Sequence, residues 1–97
     1  MAIAMFMRWN GITEEQYDTA RALAPFNRDT APGSLFHVAA FDEQGIRVTD
    51  VWESADDWET YLTEHLVPVF AKLGFPGQPE VEVVPVHLLI TPGYERI

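Results

Sequence analysis

The 97-residue sequence contains no cysteine and one lysine, Lys72. Without cysteine there is no disulfide, no thiolate nucleophile and no zinc–thiolate site, which fits an expected cytoplasmic location. Six basic residues stand against 15 acidic ones, for a formal charge of −9. Nucleic acids and anionic membrane surfaces are bound by clustered cations, so neither is an expected partner.

The sequence also lacks long apolar runs and glycine-rich segments. No stretch approaches the roughly 20 apolar residues of a membrane helix. The glycines stand singly at turns, which excludes a phosphate-binding loop. No linker or repeat divides the chain, and its 47% hydrophobic and 22% charged residues are ordinary for a folded protein. We therefore expect one domain over residues 1–97.

The first half of the chain predicts a strand, a helix and a hairpin. Thr13 and Gln16 have the spacing of a capping box, so a helix should begin there. Pro25 should end this helix, because proline disfavours the helical conformation at the residue before it. The apolar segments around the helix predict strands at residues 2–9, 34–41 and 46–53, with a turn at 42–45.

The second half predicts a long amphipathic helix and a last strand. Ser54 is the expected cap, and apolar residues then follow at helical spacing. These are Trp58, Tyr61, Leu62, His65, Leu66, Val69, Phe70 and Leu73. Pro68 predicts that this helix is broken or kinked near 65–68, with a short second piece, and Gly74 should end it. A fourth strand is predicted at 80–90, with Pro85 marking an edge or a bulge, and residues 91–97 are expected to form a short arm.

The order β-α-β-β-α-β is that of the α+β, ferredoxin-like split βαβ fold. It predicts a four-stranded antiparallel sheet with both helices on one face. The strand at 34–41 is largely apolar on both of its faces, which implies that both faces of the sheet are buried. Because the helices cover only one face, we expect a second copy to cover the other in a homodimer.

The most informative polar pair lies in the hairpin. Pairing the strands symmetrically about the turn places His37 opposite Asp50, on the face that also carries Leu35 and Trp52. The carboxylate would either favour the imidazolium form or fix the tautomer so that the far nitrogen acts as a base. The alternative is a purely structural pair. A register shifted by one residue would instead place His37 and Asp50 on opposite faces.

Two further histidines are candidates for binding. His65 points either into a cavity between helix and sheet or to a backbone carbonyl freed by Pro68. His87, in the predicted fourth strand, reaches either that cavity or the dimer seam. A site of two histidines and one carboxylate is a third hypothesis. No metal-binding spacing supports it, so no metal is expected.

The segment Ile46–Ser54 (IRVTDVWES), followed by Ala-Asp-Asp-Trp58 and an amphipathic helix, resembles the dimeric α+β barrel superfamily. It is most similar to the antibiotic-biosynthesis-monooxygenase-like (ABM-like) domains, and the resemblance extends from the first strand to His87. The superfamily includes cofactor-independent monooxygenases, isomerases, cyclases and haem-degrading enzymes. The resemblance thus implies a dimeric barrel, while the activity has to be argued from the site.

The resemblance also implies site residues. ABM-like enzymes often place an asparagine near the end of the first strand and a tryptophan near the second helix, both lining a cavity. Asn10 matches the asparagine, and Trp52 or Trp58 matches the tryptophan. Asn10 has an equally good interpretation as a turn residue before Gly11. Any one tryptophan is also readily explained as part of the core.

Two function hypotheses follow. In the first, a small enzyme without a cofactor acts on a flat, phenolic or enolisable molecule as an oxygenase or as an isomerase or cyclase. His37, oriented by Asp50, removes an acidic proton, and the resulting oxyanion accepts a hydrogen bond from Asn10 or His65. The expected ligand-binding residues are Asn10, Trp52, Trp58, His65 and His87. In the second hypothesis, the protein is a non-catalytic ligand-binding or accessory homodimer.

Overall fold

The computed structural model describes residues 1–93 and shows a four-stranded antiparallel sheet of order β2-β3-β1-β4. Its strands are β1 (Ile3–Asn10), β2 (Ser34–Phe41), β3 (Gly45–Trp52) and β4 (Glu80–Pro85). Its helices are α1 (Glu14–Leu23), α2 (Ala55–Tyr61) and α3 (Val67–Leu73), the last two joined by a π-helical turn, Leu62–Leu66. The ferredoxin-like prediction is confirmed. The end of the predicted arm, residues 94–97, lies outside the described residues.

The predicted capping box starts α1. The Thr13 hydroxyl accepts a hydrogen bond from the Gln16 backbone N–H at 3.1 Å, and the Gln16 side chain accepts one from the Thr13 N–H at 2.8 Å. Two N–H groups that a helix start leaves unpaired are thereby satisfied. The helix ends at Leu23, two residues before Pro25, as predicted.

Replacing Thr13 with alanine is expected to lower the free energy of unfolding by about 1 kcal/mol, since the cap is lost. Thr19→Ala is the matched control, because the exposed Thr19 lies inside the same helix, where alanine is the better helix former. Urea denaturation of both variants measures the difference. Equal stabilities for the two variants would show that the capping box does not stabilise the fold.

The predicted kink near Pro68 is present as a π-helical turn. Ser54 caps α2 through its hydroxyl, which accepts from the Asp57 N–H at 3.1 Å. Proline has no N–H, and its ring collides with the carbonyl four residues earlier. The chain therefore widens over Leu62–Leu66, where the Val67 N–H donates to the Leu62 carbonyl, and α3 starts with Pro68 in its first turn. Gly74 ends α3 in the left-handed conformation, as predicted (φ 64°).

The hairpin register is the one predicted from the turn. In the β2–β3 pair His37 lies opposite Asp50, and Phe41 lies opposite Ile46. An irregularity between Ser34 and Phe36 shifts the start of β2, so Ser34 takes the place opposite Trp52. Leu35 lies within this irregularity, so it does not take the predicted place opposite Trp52, and it is 41% exposed. The rest of the face keeps its alternation and lies under the helices.

The fourth strand is shorter than predicted. It pairs with β1 at the edge of the sheet and ends at Pro85, not at residue 90. Proline has no N–H to continue a ladder, which accounts for the early end and for the edge position. The prediction that His87 lies in this strand is therefore wrong. His87 follows β4 in an exposed segment.

The helices pack on one face of the sheet, and a core lies between the two layers. Met5, Trp9, Ile46 and Val48 supply the sheet side of this core, and Trp58 and Tyr61 of α2 supply much of the helix side. None of the helices within residues 1–93 is long and apolar enough to cross a bilayer. The central strands β1 and β3 thus lie beneath the helices and carry the side chains that face the site.

Candidate active site

A buried carboxylate and an imidazole form the centre of the candidate site. Asp50 is 2% exposed, and its Oδ1 lies 2.5 Å from Nδ1 of His37. Its other oxygen, Oδ2, accepts a hydrogen bond from the Trp52 indole N–H at 3.2 Å. Because a carboxylate only accepts, we assign the His37 ring proton to Nδ1. In the neutral form of the ring, Nε2 is then an acceptor.

The hydroxyl of Tyr17 is hydrogen-bonded to this nitrogen, Nε2 of His37. Its oxygen lies 2.7 Å from Nε2 of His37, and the rings of the two residues are nearly parallel, with 8° between their planes. The same oxygen accepts a hydrogen bond from Nε of Arg21 at 3.3 Å. The result is a continuous row of hydrogen-bonded groups that joins two strands to α1. In order, its members are Asp50, His37, Tyr17 and Arg21.

Neither Tyr17 nor Arg21 was predicted as a site residue. The sequence places Tyr17 at the fourth position of α1, opposite Ile12, where an apolar contact across the helix start is sufficient explanation. One signal was available, since Tyr17 and Arg21 are four residues apart and so lie on the same face of a helix. That face could be recognised as functional only once it was known to meet His37.

Arg21 also holds a second tyrosine. Its guanidinium Nη1 donates to the Tyr61 hydroxyl at 3.2 Å and to the Ala24 carbonyl at 3.1 Å. The Tyr61 hydroxyl in turn donates to the Pro25 and Ala24 carbonyls, at 3.0 and 3.1 Å. Burial raises the pKa of Tyr61, and the positive charge of Arg21 opposes this effect without cancelling it.

The raised pKa predicts the behaviour of Tyr61 in alkali. Its folded pKa exceeds the unfolded value, so its contribution to stability is complete below about pH 10 and is lost as the pH rises through the folded pKa. Titration of tyrosinate absorbance should show one of the three tyrosines ionising late. Tyr61→Phe should remove this late component. If the component persists in Tyr61→Phe, it belongs to another tyrosine.

The row borders a cavity between the helices and the sheet. The cavity has a volume of about 60 Å³, which is room for a few water molecules. Its apolar walls include Met5, Met7, Trp9, Ile12, Ile46, Val48, Trp58, Leu66, Phe70 and Phe75. Its polar groups are those of Tyr17, Arg21, His37, Asp50 and Tyr61. A few polar groups converging on an aromatic, apolar cavity are typical of a small-molecule site.

The structure brings some of the predicted site residues together and leaves others apart. His37, Asp50 and Trp58 line the cavity. Trp52 is fully buried and lies behind Asp50, as its hydrogen-bond donor.

Asn10, His65 and His87 do not line the cavity. Asn10 is exposed at the end of β1. His65 stacks on Tyr61 and borders a surface cleft that contains Asp57 and Glu64. Among residues 1–93, no group of three or more His, Asp or Glu side chains is arranged to hold a metal ion.

Solved structures share this fold. SnoaB, a cofactor-independent oxygenase from Streptomyces nogalater, matches with a TM-score of 0.67 at 14% identity, over 92% of this chain and 96% of its own. A candidate antibiotic biosynthesis monooxygenase from Deinococcus radiodurans matches with a TM-score of 0.63 at 17% identity, over 94% of this chain and 97% of its own. The chain has the ABM-like fold.

A protein of unknown function, NE2512 from Nitrosomonas europaea, matches with a TM-score of 0.72 at 17% identity, over 94% of each chain. No protein-family model and no curated protein matches the sequence. At these identities the structural likeness concerns the ABM-like fold alone. The activity has to be argued from the residues that line the cavity of this chain.

Proposed function

We propose that this ABM-like domain binds a flat, phenolic or enolisable molecule in the cavity and that His37 removes its acidic proton. The reaction would be that of a cofactor-independent monooxygenase, or of an isomerase or cyclase. One observation carries the proposal: the buried Asp50 carboxylate holds Nδ1 of the partly buried His37, whose outer nitrogen, Nε2, lies at the wall of an aromatic cavity. A base oriented by a carboxylate at the wall of an apolar cavity suits proton abstraction.

The Tyr17 hydroxyl marks where the substrate oxygen would bind. It lies between Nε2 of His37 and Nε of Arg21, at 2.7 and 3.3 Å. A phenol or enol hydroxyl in this position would donate to the first nitrogen and accept from the second. The substrate would therefore displace the Tyr17 side chain. This displacement would also enlarge the cavity, which is small compared with the roughly 300–1,000 Å³ of pockets for larger ligands.

The proton transfer prepares the substrate for its further reaction. Once His37 holds the proton, its positive charge lies against the Asp50 carboxylate, and the substrate has become an electron-rich anion. In the oxygenase reaction, this anion supplies the electrons to O₂. A CH₂ group of the substrate becomes a carbonyl, and the second oxygen atom leaves as water with the two hydrogens. In an isomerase or cyclase, the proton is instead returned elsewhere on the carbon skeleton.

Tryptophan fluorescence tests the binding step, since Trp9 and Trp58 line the cavity. A panel of flat phenols, quinols, haem and acidic metabolites would be titrated into wild type, His37→Gln and the control His87→Gln, which alters an exposed histidine outside the cavity. We expect one class of phenol to quench the tryptophan fluorescence of wild type and of His87→Gln with equal affinity. The same phenol should quench His37→Gln with about tenfold lower affinity. Oxygen uptake with that class then tests the reaction. Equal quenching of all three proteins would contradict the assignment of His37.

The non-catalytic alternative is favoured by the small volume of the cavity and by its satisfied polar groups. Within residues 1–93 no buried side-chain nitrogen or oxygen lacks a hydrogen-bond partner. In this alternative the row of polar groups only stabilises the fold. His37→Ala would then lower the free energy of unfolding by about 1–3 kcal/mol, because buried partners are left unpaired. No phenol would quench the tryptophan fluorescence of wild type or of His37→Ala.

We also propose that the outer sheet face packs against a second copy of the chain. Phe6 and Val38 on that face are each 43% exposed, and Leu88 and Ile90 after β4 are 71% and 70% exposed. Apolar groups gathered on one face are typical of an interface. The proposal agrees with the dimeric barrel that the sequence resemblance implies.

A charge on this face is expected to separate the copies. Val38→Glu should convert a dimer to a monomer in sedimentation velocity, since the buried carboxylate would have no partner. Ala22→Glu, on an exposed part of α1, is the control and should remain dimeric. A monomeric wild type at micromolar concentration, or a dimeric Val38→Glu, would exclude this interface.

A further inference from the structure

We infer that Arg21 is the anion-binding residue of the cavity, and that its guanidinium receives the oxyanion formed when His37 takes the substrate proton. The inference rests on the proposed function and deepens it. It restricts the ligands to molecules whose acidic hydroxyl lies within hydrogen-bond reach of both His37 and Arg21. It also gives the role first expected of Asn10 or His65 to a residue that lines the cavity.

Arg21 has no carboxylate partner among residues 1–93. Its hydrogen bonds go to neutral oxygens, those of Tyr17, Tyr61 and Ala24. By contrast, Arg8 and Arg47 both form ion pairs with Asp42. In a chain with 15 acidic residues, a partly buried guanidinium without a carboxylate is notable. Its positive charge is available to a bound anion.

The position of Arg21 also suits an anion site. Its guanidinium carbon lies 5.2 Å from the centre of the Tyr17 ring and 5.1 Å from that of Phe26. Arginine is hydrated weakly enough to lie against aromatic rings and still bind a carboxylate or a phenolate. Arg21 lines both the cavity and the open groove outside it. His37 also lines this groove, so a ligand entering from the groove would meet the base and the positive charge together.

The charges in the row alternate in the way that a proton transfer requires. Before the transfer, Asp50 is negative, Arg21 is positive, and His37 and the ligand hydroxyl between them are neutral. The transfer breaks the ligand O–H bond and forms an N–H bond at Nε2 of His37. Afterwards the imidazolium lies beside Asp50 and the oxyanion beside Arg21, so each new charge has an opposite neighbour. No oxidant or reductant takes part in this step.

The other ionisable groups do not duplicate this role. Around the cavity, β2 contributes His37, β3 contributes Asp50, and the helices contribute Tyr17 and Tyr61. Within residues 1–93, Arg21 is the one permanent cation that lines the cavity. Arg28 and Glu53 lie in the outer groove, which Arg21 also borders. Arg28 therefore provides a matched substitution that removes a positive charge without altering the cavity.

The absorbance of 4-nitrophenol tests the inference, because its phenolate and phenol forms absorb at different wavelengths. The bound dye would be titrated with pH in wild type, Arg21→Gln, Arg21→Lys and Arg28→Gln. In wild type, Arg21 should favour the bound phenolate about tenfold, which lowers the pKa of the dye by about one unit. Arg28→Gln should behave as wild type, Arg21→Lys should keep part of the shift, and Arg21→Gln should abolish it.

The outcomes separate this inference from the proposed function. A dye that binds with an unshifted pKa, or an Arg21→Gln variant with the full shift, would overturn the role of Arg21 and leave His37 as the base. A dye that does not bind to wild type would overturn both. A purely structural Arg21, bonded to the Ala24 carbonyl as a helix-end contact, predicts reduced thermal stability in Arg21→Gln and an unchanged dye pKa. If Arg21→Gln does not fold, wild type and Arg21→Lys still test the inference. A dye that has the same pKa when bound to these proteins as when free would refute it.

Discussion

Asp50→Asn is expected to weaken phenol binding by about ten- to a hundredfold, because it reverses the tautomer of His37. An amide has one oxygen for two donors, the ring N–H of His37 and the indole N–H of Trp52. With its oxygen towards Trp52, its NH₂ group faces Nδ1 of His37 and drives the ring proton to Nε2. That nitrogen then donates and no longer accepts. The loss corresponds to about 1.4–2.7 kcal/mol, within the range for leaving a buried donor or acceptor without its hydrogen bond.

Asp56→Asn is the matched control for this substitution. Asp56 is exposed in the first turn of α2, so its replacement removes the same charge far from the cavity. Phenol titrations of both variants, with circular dichroism to check folding, give the comparison. An Asp50→Asn variant that binds and turns over normally would remove the assignment of His37 as the base.

Trp52→Ala is expected to lower the free energy of unfolding by about 3–5 kcal/mol, the usual cost of deleting a large aromatic side chain from a core. Trp52 is 0% exposed. Its ring centre lies 5.6–5.9 Å from those of Phe26, Trp58 and Tyr61. It therefore supports both the Asp50 carboxylate and the aromatic wall, and its loss should affect the whole site.

Trp52→Phe separates the two contributions of this side chain. Phenylalanine keeps an aromatic ring but cannot donate to Asp50, so we expect a smaller loss, of about 1–3 kcal/mol. Guanidinium denaturation of wild type and both variants measures the difference. If Trp52→Ala costs under about 1 kcal/mol, the ring is not part of the core. A Trp52 that contacts substrate, as first expected from the sequence, would instead change phenol binding with little effect on stability.

The sequence was most informative where the structure depends on local contacts. The hairpin register follows from strand alternation and a short turn, so the pairing of His37 with Asp50 could be predicted. The capping box at Thr13 and the irregular helix before Pro68 follow from single residues with strong backbone preferences. The contact of Tyr17 with His37 depends on how α1 packs across the sheet. That packing is a tertiary property, which the sequence pattern does not specify.

The three candidates outside the cavity have separate physical explanations. Strand alternation turns Asn10 outward because Trp9 faces the core. His65 lies within the π-helical turn, which adds a residue to the helical repeat and so shifts the face that a regular helix would present. His87 was placed in a strand that Pro85 ends. Of the three, only the outward orientation of Asn10 could have been recognised from strand alternation in the sequence alone.

The protonation state of His37 is the most direct test of the proposed chemistry. Long-range ¹⁵N–¹H NMR spectra of the three histidines, with His37→Gln to identify the signal, report which ring nitrogen carries the proton. We predict a neutral His37 ring protonated at Nδ1 in the free protein. Adding the phenol that quenches most strongly should give a ring protonated at both nitrogens. A free protein with the proton on Nε2, or a His37 spectrum that bound phenol leaves unchanged, would contradict the role of His37 as the base.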